Sequence, residues 1–305
     1  MKKSNYCQVM KEDKKVIKYQ RKIGITQEYY RSTPELEVLD ILNKYELNVP
    51  RILEFYDDYF IEEYIDGTLL DDIYTDYGDI DKLVIDDIIN NIVELIKINT
   101  QKLSKYSKWS NVRDFIEYQI LNTEKIWNEY NISYDAFYRL LGINESALFK
   151  LKQLANRINF NRPLCLIHGD RHKNNMIKKD NQIYYIDWEL SCIGDLAYDI
   201  AFHIHQMKYS EADLEYFLLN LEKRLPNEYK SVISDINTYL CFITMRSVIY
   251  YVKILYDCDY SEELLDKFYI RLQKLCEYTE LGINLVSKDD IKELLIKEKG
   301  INFRR

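Results

Sequence analysis

The chain has 305 residues, 47% hydrophobic and 30% charged, enough for one large or two modest domains with real cores, and its net charge of −8 argues against a nucleic-acid partner. The most apolar stretch, Ile236–Tyr256, is interrupted by Asn237, Arg246 and Lys253, so no membrane span is expected, and the lysines of the opening MKKSNYCQVMKED lack the apolar run of a secretory signal. Six cysteines without a C-x-x-C pair read as small buried residues of a reducing, cytoplasmic compartment and not as disulfides or zinc ligands.

In chain order, Tyr6–Met10 and Lys15–Tyr19 are two β-like runs joined by the polar turn Lys11–Lys14. Thr33–Pro34–Glu35 opens a helix with Thr33 as cap, Pro34 in the first turn and acids at the positive end. Leu36, Leu39 and Leu42 line one face of it, widened by Val38 and Ile41, and Asn48–Val49–Pro50 ends it. Arg51–Phe55 and Tyr59–Tyr64 are two further strands, and Asp66–Gly67 is a turn that marks a lobe boundary. Beyond it the spacing predicts helices at Ile80–Leu103, Val112–Glu129, Tyr134–Arg157, Glu211–Leu225, Lys230–Tyr256 and Ser261–Tyr278. With eight glycines, four prolines and no Pro- or Ser-rich linker, the pattern fits a two-lobe body better than tethered modules.

The segment 164–201, LCLIHGDRHKNNMIKKDNQIYYIDWELSCIGDLAYDIA, interrupts the helices with short strands and loops. It sets His168, Gly169 and Asp170 on a tight turn, Asn175 five residues after Asp170, and an apolar strand, Ile183–Ile186, that delivers Asp187. That order matches a phosphoryl-transfer site. One carboxylate orients a hydroxyl and accepts its proton, while an amide oxygen and a second carboxylate hold Mg²⁺ on the phosphates. Protein kinases carry H-R-D-x-x-x-x-N followed by a metal-binding Asp. Here Gly169 replaces the Arg, and Trp188–Glu189 stands where Phe–Gly would follow the Asp.

The three motifs H-G-D-x-x-x-x-N, I-D-W-E and G-D-x-x-x-D-I-A, in that order, resemble the aminoglycoside phosphotransferase and choline kinase superfamily of small-molecule kinases. The resemblance implies an α+β, bilobal, protein-kinase-like fold, with a small β-rich nucleotide-binding N-lobe (1–67) and a large, mostly helical catalytic and substrate-binding C-lobe (68–305). It implies Asp170 as catalytic base, Asn175 and Asp187 as ligands of Mg²⁺ or Mn²⁺, and ATP or GTP as phosphate donor. Lys18, in V-I-K-Y, resembles the strand lysine that reaches the α/β-phosphates, and Glu35 its helix partner, with Glu37 as the alternative register. DYFIEEYIDG (58–67) resembles the hinge, where the carbonyl of Glu63 and the N–H of Ile65 would meet the adenine edge. Ser4 and Asn5 resemble the tail of the triphosphate-covering loop. No strand precedes them and the first glycine is Gly24, so the phosphates are expected to rely on Lys2, Lys3 and the Ser4 hydroxyl, or to be held more weakly. His168 is expected to brace the loop, Asp195 to cap the following helix, and Asp199 to tie the catalytic loop's backbone; Glu189 stands near enough in sequence to contact substrate or water.

All four histidines, 168, 172, 203 and 205, fall in this region, and their H-x-x-x-H and H-x-H spacings suggest the alternative of a metal-dependent phosphohydrolase. That reading leaves Lys18, Glu35 and the hinge strand unexplained. A nucleotide-binding pseudokinase would require a broken catalytic set, and only the curtailed loop speaks for one. Between Glu54 and Asp87 there are thirteen acids against one base, Lys82, and the chain has 28 tyrosines. A solvated acidic face accounts for the first feature; a cationic acceptor, aminoglycoside-like or an amino alcohol such as choline or ethanolamine, suits both. The sequence leaves the oligomeric state open.

Overall fold

The computed structural model describes residues 7–10, 13–19, 33–45, 47–258 and 261–299. In chain order the elements are β1 (Cys7–Met10), β2 (Lys15–Tyr19), α1 (Glu35–Leu42), β3 (Ile52–Phe55), β4 (Tyr59–Glu63), β5 (Thr68–Leu69), α2 (Leu70–Ile73), α3 (Lys82–Ile96), α4 (Val112–Tyr130), α5 (Asp135–Leu141), α6 (Glu145–Ala155), β6 (Cys165–Ile167), β7 (Met176–Lys179), β8 (Gln182–Tyr185), β9 (Cys192–Gly194), α7 (Leu196–Met207), α8 (Glu211–Arg224), α9 (Val232–Asp257), α10 (Glu262–Cys276) and α11 (Lys288–Lys299). They group into two compact units, Met1–Val112 with Phe160–Ile233, and Arg113–Asn159 with Ser234–Arg305. The turn at Gly67 falls inside the first unit.

The first unit begins with an antiparallel sheet of order β1-β2-β4-β3. Lys18 is paired with Phe60 and Val16 with Glu62, so strand alternation turns all four to the buried face. Helix α1 buries Val38, Leu39, Ile41 and Leu42, whereas Leu36 is only half-buried. Its start differs from the expectation. Pro34 occupies the cap position without a side-chain cap, while Thr33 is buried and donates its N–H to Ser191 O. That N–H is thus spent on tertiary anchoring, and the Thr33 hydroxyl sits one residue too early to cap Glu35's helix.

Two smaller antiparallel arrays follow, β5-β7-β8 and the β6–β9 ribbon. Gly67 leads into β5 so closely that a Cβ there would lie 2.5 Å from Lys178 O on β7, which requires glycine at this turn. Helix α3, capped by Asp81, packs Ile85, Ile88, Ile89, Ile92 and Leu95 into the core beside β6, β8 and α8. It stops at Ile96, earlier than the periodicity suggests, because Asn99 caps a new 3₁₀ turn at Thr100–Lys102.

In the second unit the expected helix Tyr134–Arg157 is two helices. Gly142 adopts φ 71° and ends α5, and Asn144 accepts from Ala147 N to start α6. Helix α11, with Ile291 and Leu295 buried, was not anticipated, although Ile291, Leu294 and Leu295 carry helical spacing. The stretch Asn227–Asp257, which contains α9, is long and apolar enough to cross a bilayer, contrary to the expectation from its three polar interruptions. Its most apolar part is 61% buried in protein, as befits a core helix. Asn144→Ala should destabilise the protein by about 0.5–2 kcal/mol, read as a lower urea midpoint at unchanged m-value; an unaltered midpoint would mean the Asn144 cap does not hold α6.

Candidate active site

Strand β6 carries the chain into His168–Gly169–Asp170 at the centre of the first unit. Gly169 has φ 78°, and a Cβ on it would meet Leu190 O at 2.2 Å, so the middle position of H-G-D tolerates only glycine here. Its N–H donates to Asp199 Oδ1 at 2.9 Å. Asp199 Oδ2 accepts from Arg171 Nε at 3.2 Å, and Arg171 Nη1 donates to Asn91 Oδ1 of α3 at 2.9 Å. Asp199 and Arg171 are fully buried. Asp195, equally buried, receives Arg162 in a two-pronged pair at 2.8 and 2.6 Å and caps α7 by accepting from Ala197 N. His168 has Nδ1 3.3 Å from Asp170 N and Nε2 3.1 Å from Ile186 O, which fixes a neutral tautomer with the proton on Nε2. Burial, reinforced by the Arg171 charge, pushes its pKa down to about 4.

Asp170 and Asn175 face each other across the loop. Asn175 Nδ2 donates to Asp170 O at 3.0 Å and to Asp170 Oδ2 at 3.1 Å. With its amide nitrogen so engaged, Asn175 turns its oxygen the other way. Asp187 follows β8 in the left-handed region, φ 63° and ψ 63°, a conformation that a short polar side chain tolerates better than a bulky one. Its side chain is 42% exposed, against 26% for Asp170. Glu189 lies half-buried in the 3₁₀ turn that follows.

Lys18 reaches this loop from β2. Its Nζ is 2.5 Å from Glu35 Oε1, 3.1 Å from Asp187 Oδ1 and 3.9 Å from Glu62 Oε1. Glu35 Oε1 also accepts from Trp188 N at 2.9 Å, so one carboxylate on α1 holds both the lysine and the turn behind Asp187. Glu37 is turned away, accepting from Tyr106 Oη at 2.8 Å, which settles the register between the two acids. Glu63 ends β4, its N–H donating to Arg51 O, and Ile65 is buried in the chain leading to Gly67. Ser4 and Asn5, with Lys2 and Lys3, lie outside the described residues.

The phosphotransferase enzyme family profile matches residues 25–230, more than half of the chain. This chain belongs to that family. The LicA homolog of Metamycoplasma hominis is 27% identical over 139 residues, 45% of this chain and 50% of that protein, so the match spans half the length of this relative. Among solved structures, the ethanolamine kinase of Plasmodium vivax is similar with a TM-score of 0.58 at 20% identity, covering 86% of this chain and 75% of that one. The choline kinase LicA of Streptococcus pneumoniae gives 0.56 at 18% identity, covering 87% and 86%. The fold of this phosphotransferase is accordingly the bilobal, protein-kinase-like α+β fold expected from the motifs.

Three buried or half-buried carboxylates surround one ammonium in this phosphotransferase. Burial alone would lower the Lys18 pKa, but Glu35, Glu62 and Asp187 together outweigh it and hold the lysine well above its ordinary value. Glu35 is pushed up by burial, with Lys18 opposing and Asp187 adding to the rise. Glu62 is pushed up to about 8, by burial first, with Lys18 opposing and Glu35 and Asp187 reinforcing it. The excess of negative charge suits a divalent cation, and the free amide oxygen of Asn175 with the exposed Asp187 is the oxygen donor set Mg²⁺ accepts when phosphate and water complete its shell.

Sequence reasoning missed Glu62, Arg171 and His172. The alternation of β4 was the available signal for Glu62, since Phe60 and Glu62 share a face. Arg171 and His172 sit at variable positions of the H-G-D-x-x-x-x-N motif, and the one signal His172 carried, its H-x-x-x-H spacing from His168, pointed to a metal site instead. Because Glu62 holds its proton in the folded state up to about pH 8 and near 4.5 when unperturbed, the folded protein binds more protons across that window and loses stability as pH rises through it. Glu62→Gln should therefore raise the melting temperature at pH 8.5 and flatten the decline between pH 5 and 8.5; an unchanged slope would remove Glu62 as its source.

Proposed function

We propose that the protein transfers the γ-phosphate of ATP or GTP to a hydroxyl of a small cationic amino alcohol of the choline or ethanolamine kind, with aminoglycosides as the next class to test. The observation that carries this reading is the convergence on one site of the Lys18–Glu35 pair, Asp187, and the Asp170–Asn175 pair. No phosphohydrolase reading makes use of the strand lysine and its helix partner. The acceptor class draws on the similarity to a LicA homolog, a choline kinase and an ethanolamine kinase, together with the chain's acidity.

In this reading residues 1–67 carry the nucleotide and 68–305 carry the catalytic groups and the acceptor. The Glu63 carbonyl and Ile65 N–H meet the edge of the base. Lys18, held extended by Glu35, neutralises charge on the α- and β-phosphates. Asn175 and Asp187 would hold Mg²⁺ or Mn²⁺, which would neutralise charge on the phosphate oxygens. Asp170 accepts a hydrogen bond from the acceptor hydroxyl and aims its oxygen at the γ-phosphorus. As the new P–O bond forms and the bond to the leaving nucleoside diphosphate breaks, the hydroxyl proton passes to Asp170 and from there to solvent. His168, Asp195 and Asp199 touch neither substrate; they hold the loop.

Incubating the protein with Mg·ATP or Mg·GTP and a panel of choline, ethanolamine, streptomycin and gentamicin should yield a phosphorylated amino alcohol. Asp170→Ala and Asp187→Ala should each lower turnover by roughly 100-fold or more at an unchanged melting temperature, and only Asp187→Ala should weaken Mg²⁺-dependent nucleotide binding. Near-normal turnover by Asp170→Ala would refute its assignment, and stoichiometric tight zinc in the purified protein would favour the hydrolase.

A further inference from the structure

His172 lies two residues past Asp170, where the chain enters the 3₁₀ turn Lys173–Asn175. Its ring has two distinct jobs available. Nδ1 accepts the N–H of Asn174 at 3.1 Å and caps the turn, so in this geometry Nδ1 carries no proton and Nε2 does. Nε2 stands 3.3 Å from Asp170 Oδ2. The same oxygen already accepts from Asn175 Nδ2 at 3.1 Å, and among the described residues no donor reaches Asp170 Oδ1. The half-buried imidazole is also faced by Asp187 and by Asp71 of α2, whose charges, after that of Asp170, oppose the effect of burial and raise its pKa.

We propose that His172 is a positioning residue that, together with Asn175, pins Asp170 Oδ2 and so leaves Oδ1 as the oxygen that receives the acceptor hydroxyl. The physical reason is the near two-fold symmetry of a carboxylate about its last torsion. A lone donor lets either oxygen turn toward the substrate, whereas two donors on one oxygen distinguish them and hold the plane of the group. A separation of 3.3 Å is long for a hydrogen bond, as contacts between catalytic groups often are before substrate arrives. The inference rests on the assignment of Asp170 as the hydroxyl-orienting group and adds to it the choice of oxygen and the residue that enforces that choice.

Two substitutions separate the ring's two nitrogens. His172→Asn places an amide oxygen where Nδ1 was and keeps the cap on Asn174 N, but its side chain is too short to reach Asp170. His172→Gln reaches Asp170 with an amide N–H and gives up the cap. ADP formation from Mg·ATP is measured for both, with choline and with water as acceptor, beside thermal melts and an Asp170→Asn control. His172→Asn should keep its melting temperature and its KM for ATP while kcat falls roughly 10- to 100-fold. His172→Gln should melt roughly 2–4 °C lower with kcat within about threefold of wild type. Above the pKa of the ring, a long-range ¹H–¹⁵N spectrum of the wild type should show the neutral imidazole of His172 protonated on Nε2, and a neutral ring protonated on Nδ1 would overturn the proposal without any substrate. Wild-type kcat in His172→Asn, or losses that simply follow the melting temperature in both variants, would overturn it as well. If Asp170→Asn is inactive while His172→Asn is normal, only the role of His172 fails; if Asp170→Asn turns over normally, the parent assignment fails and takes this one with it.

Discussion

The buried ammonium of Lys18 is the constraint on which the rest of this site depends. Taking such a charge out of water costs several kcal/mol, and here three carboxylates from three different elements offset that cost. Glu35 comes from α1, Glu62 from β4 and Asp187 from the loop after β8. The lysine therefore fixes more than its own position. It ties the N-terminal sheet to the helix beside it, and both to the loop that carries a proposed metal ligand. Glu35 strengthens the tie by also accepting the backbone N–H of Trp188, one residue beyond Asp187. Removing the lysine would leave the carboxylates facing one another without a counter-charge, which gives Lys18 a structural part beside its proposed one on the phosphates.

Behind this cluster the charged groups sort by exposure. Asp195, Asp199, Arg162 and Arg171 are at most 4% exposed, and each carboxylate has both an arginine and a backbone N–H as partners. Asp170 and Asp187, by contrast, are 26% and 42% exposed at their side chains. Fully paired, dry ions set the backbone rigidly, and the partly wet ones remain available to a ligand. That division explains how two aspartates four residues apart, 195 and 199, support the loop without reaching the chemistry. It also accounts for His168, whose neutral ring bridges the start of the loop to Ile186, the residue before Asp187, and so couples the separation of Asp170 and Asp187 to a single side chain.

The N-terminal strands, helix α1 and the order of the motif residues were legible because each rests on a local rule. Alternation marked β2 and β4, acids after a proline marked α1, and a glycine between His168 and Asp170 marked a turn that only glycine can make. The break between α5 and α6 was equally local, yet it was read over, because apolar spacing on both sides of Gly142 stays in phase with one long helix. Three-dimensional convergence was not legible in the same way. Glu62 looks in sequence like one of thirteen acids in an exposed stretch, and only the pairing of Val16 with Glu62 turns it inward beside Lys18. His172 and Arg171 are adjacent in sequence but serve opposite faces of the loop, one toward Asp170 and one toward Asp199 and Asn91. A motif written as H-G-D-x-x-x-x-N conceals both.

The charge arithmetic around Lys18 gives the site a direction. One ammonium against Glu35, Glu62 and Asp187 leaves a surplus of negative charge, and burial, reinforced by the charges of Glu35 and Asp187, pushes the Glu62 pKa up to about 8. A nucleotide's phosphates would draw Lys18 toward themselves and weaken its hold on those carboxylates, so phosphate alone is a poor fit to such a pocket. A divalent cation bound with the phosphates, as proposed above, would change the balance, because it would add positive charge beside Asp187 as Lys18 was shared with the new ligand. Each would then make the other's binding less costly, so that such an arrangement of acids would favour the pair over either partner alone.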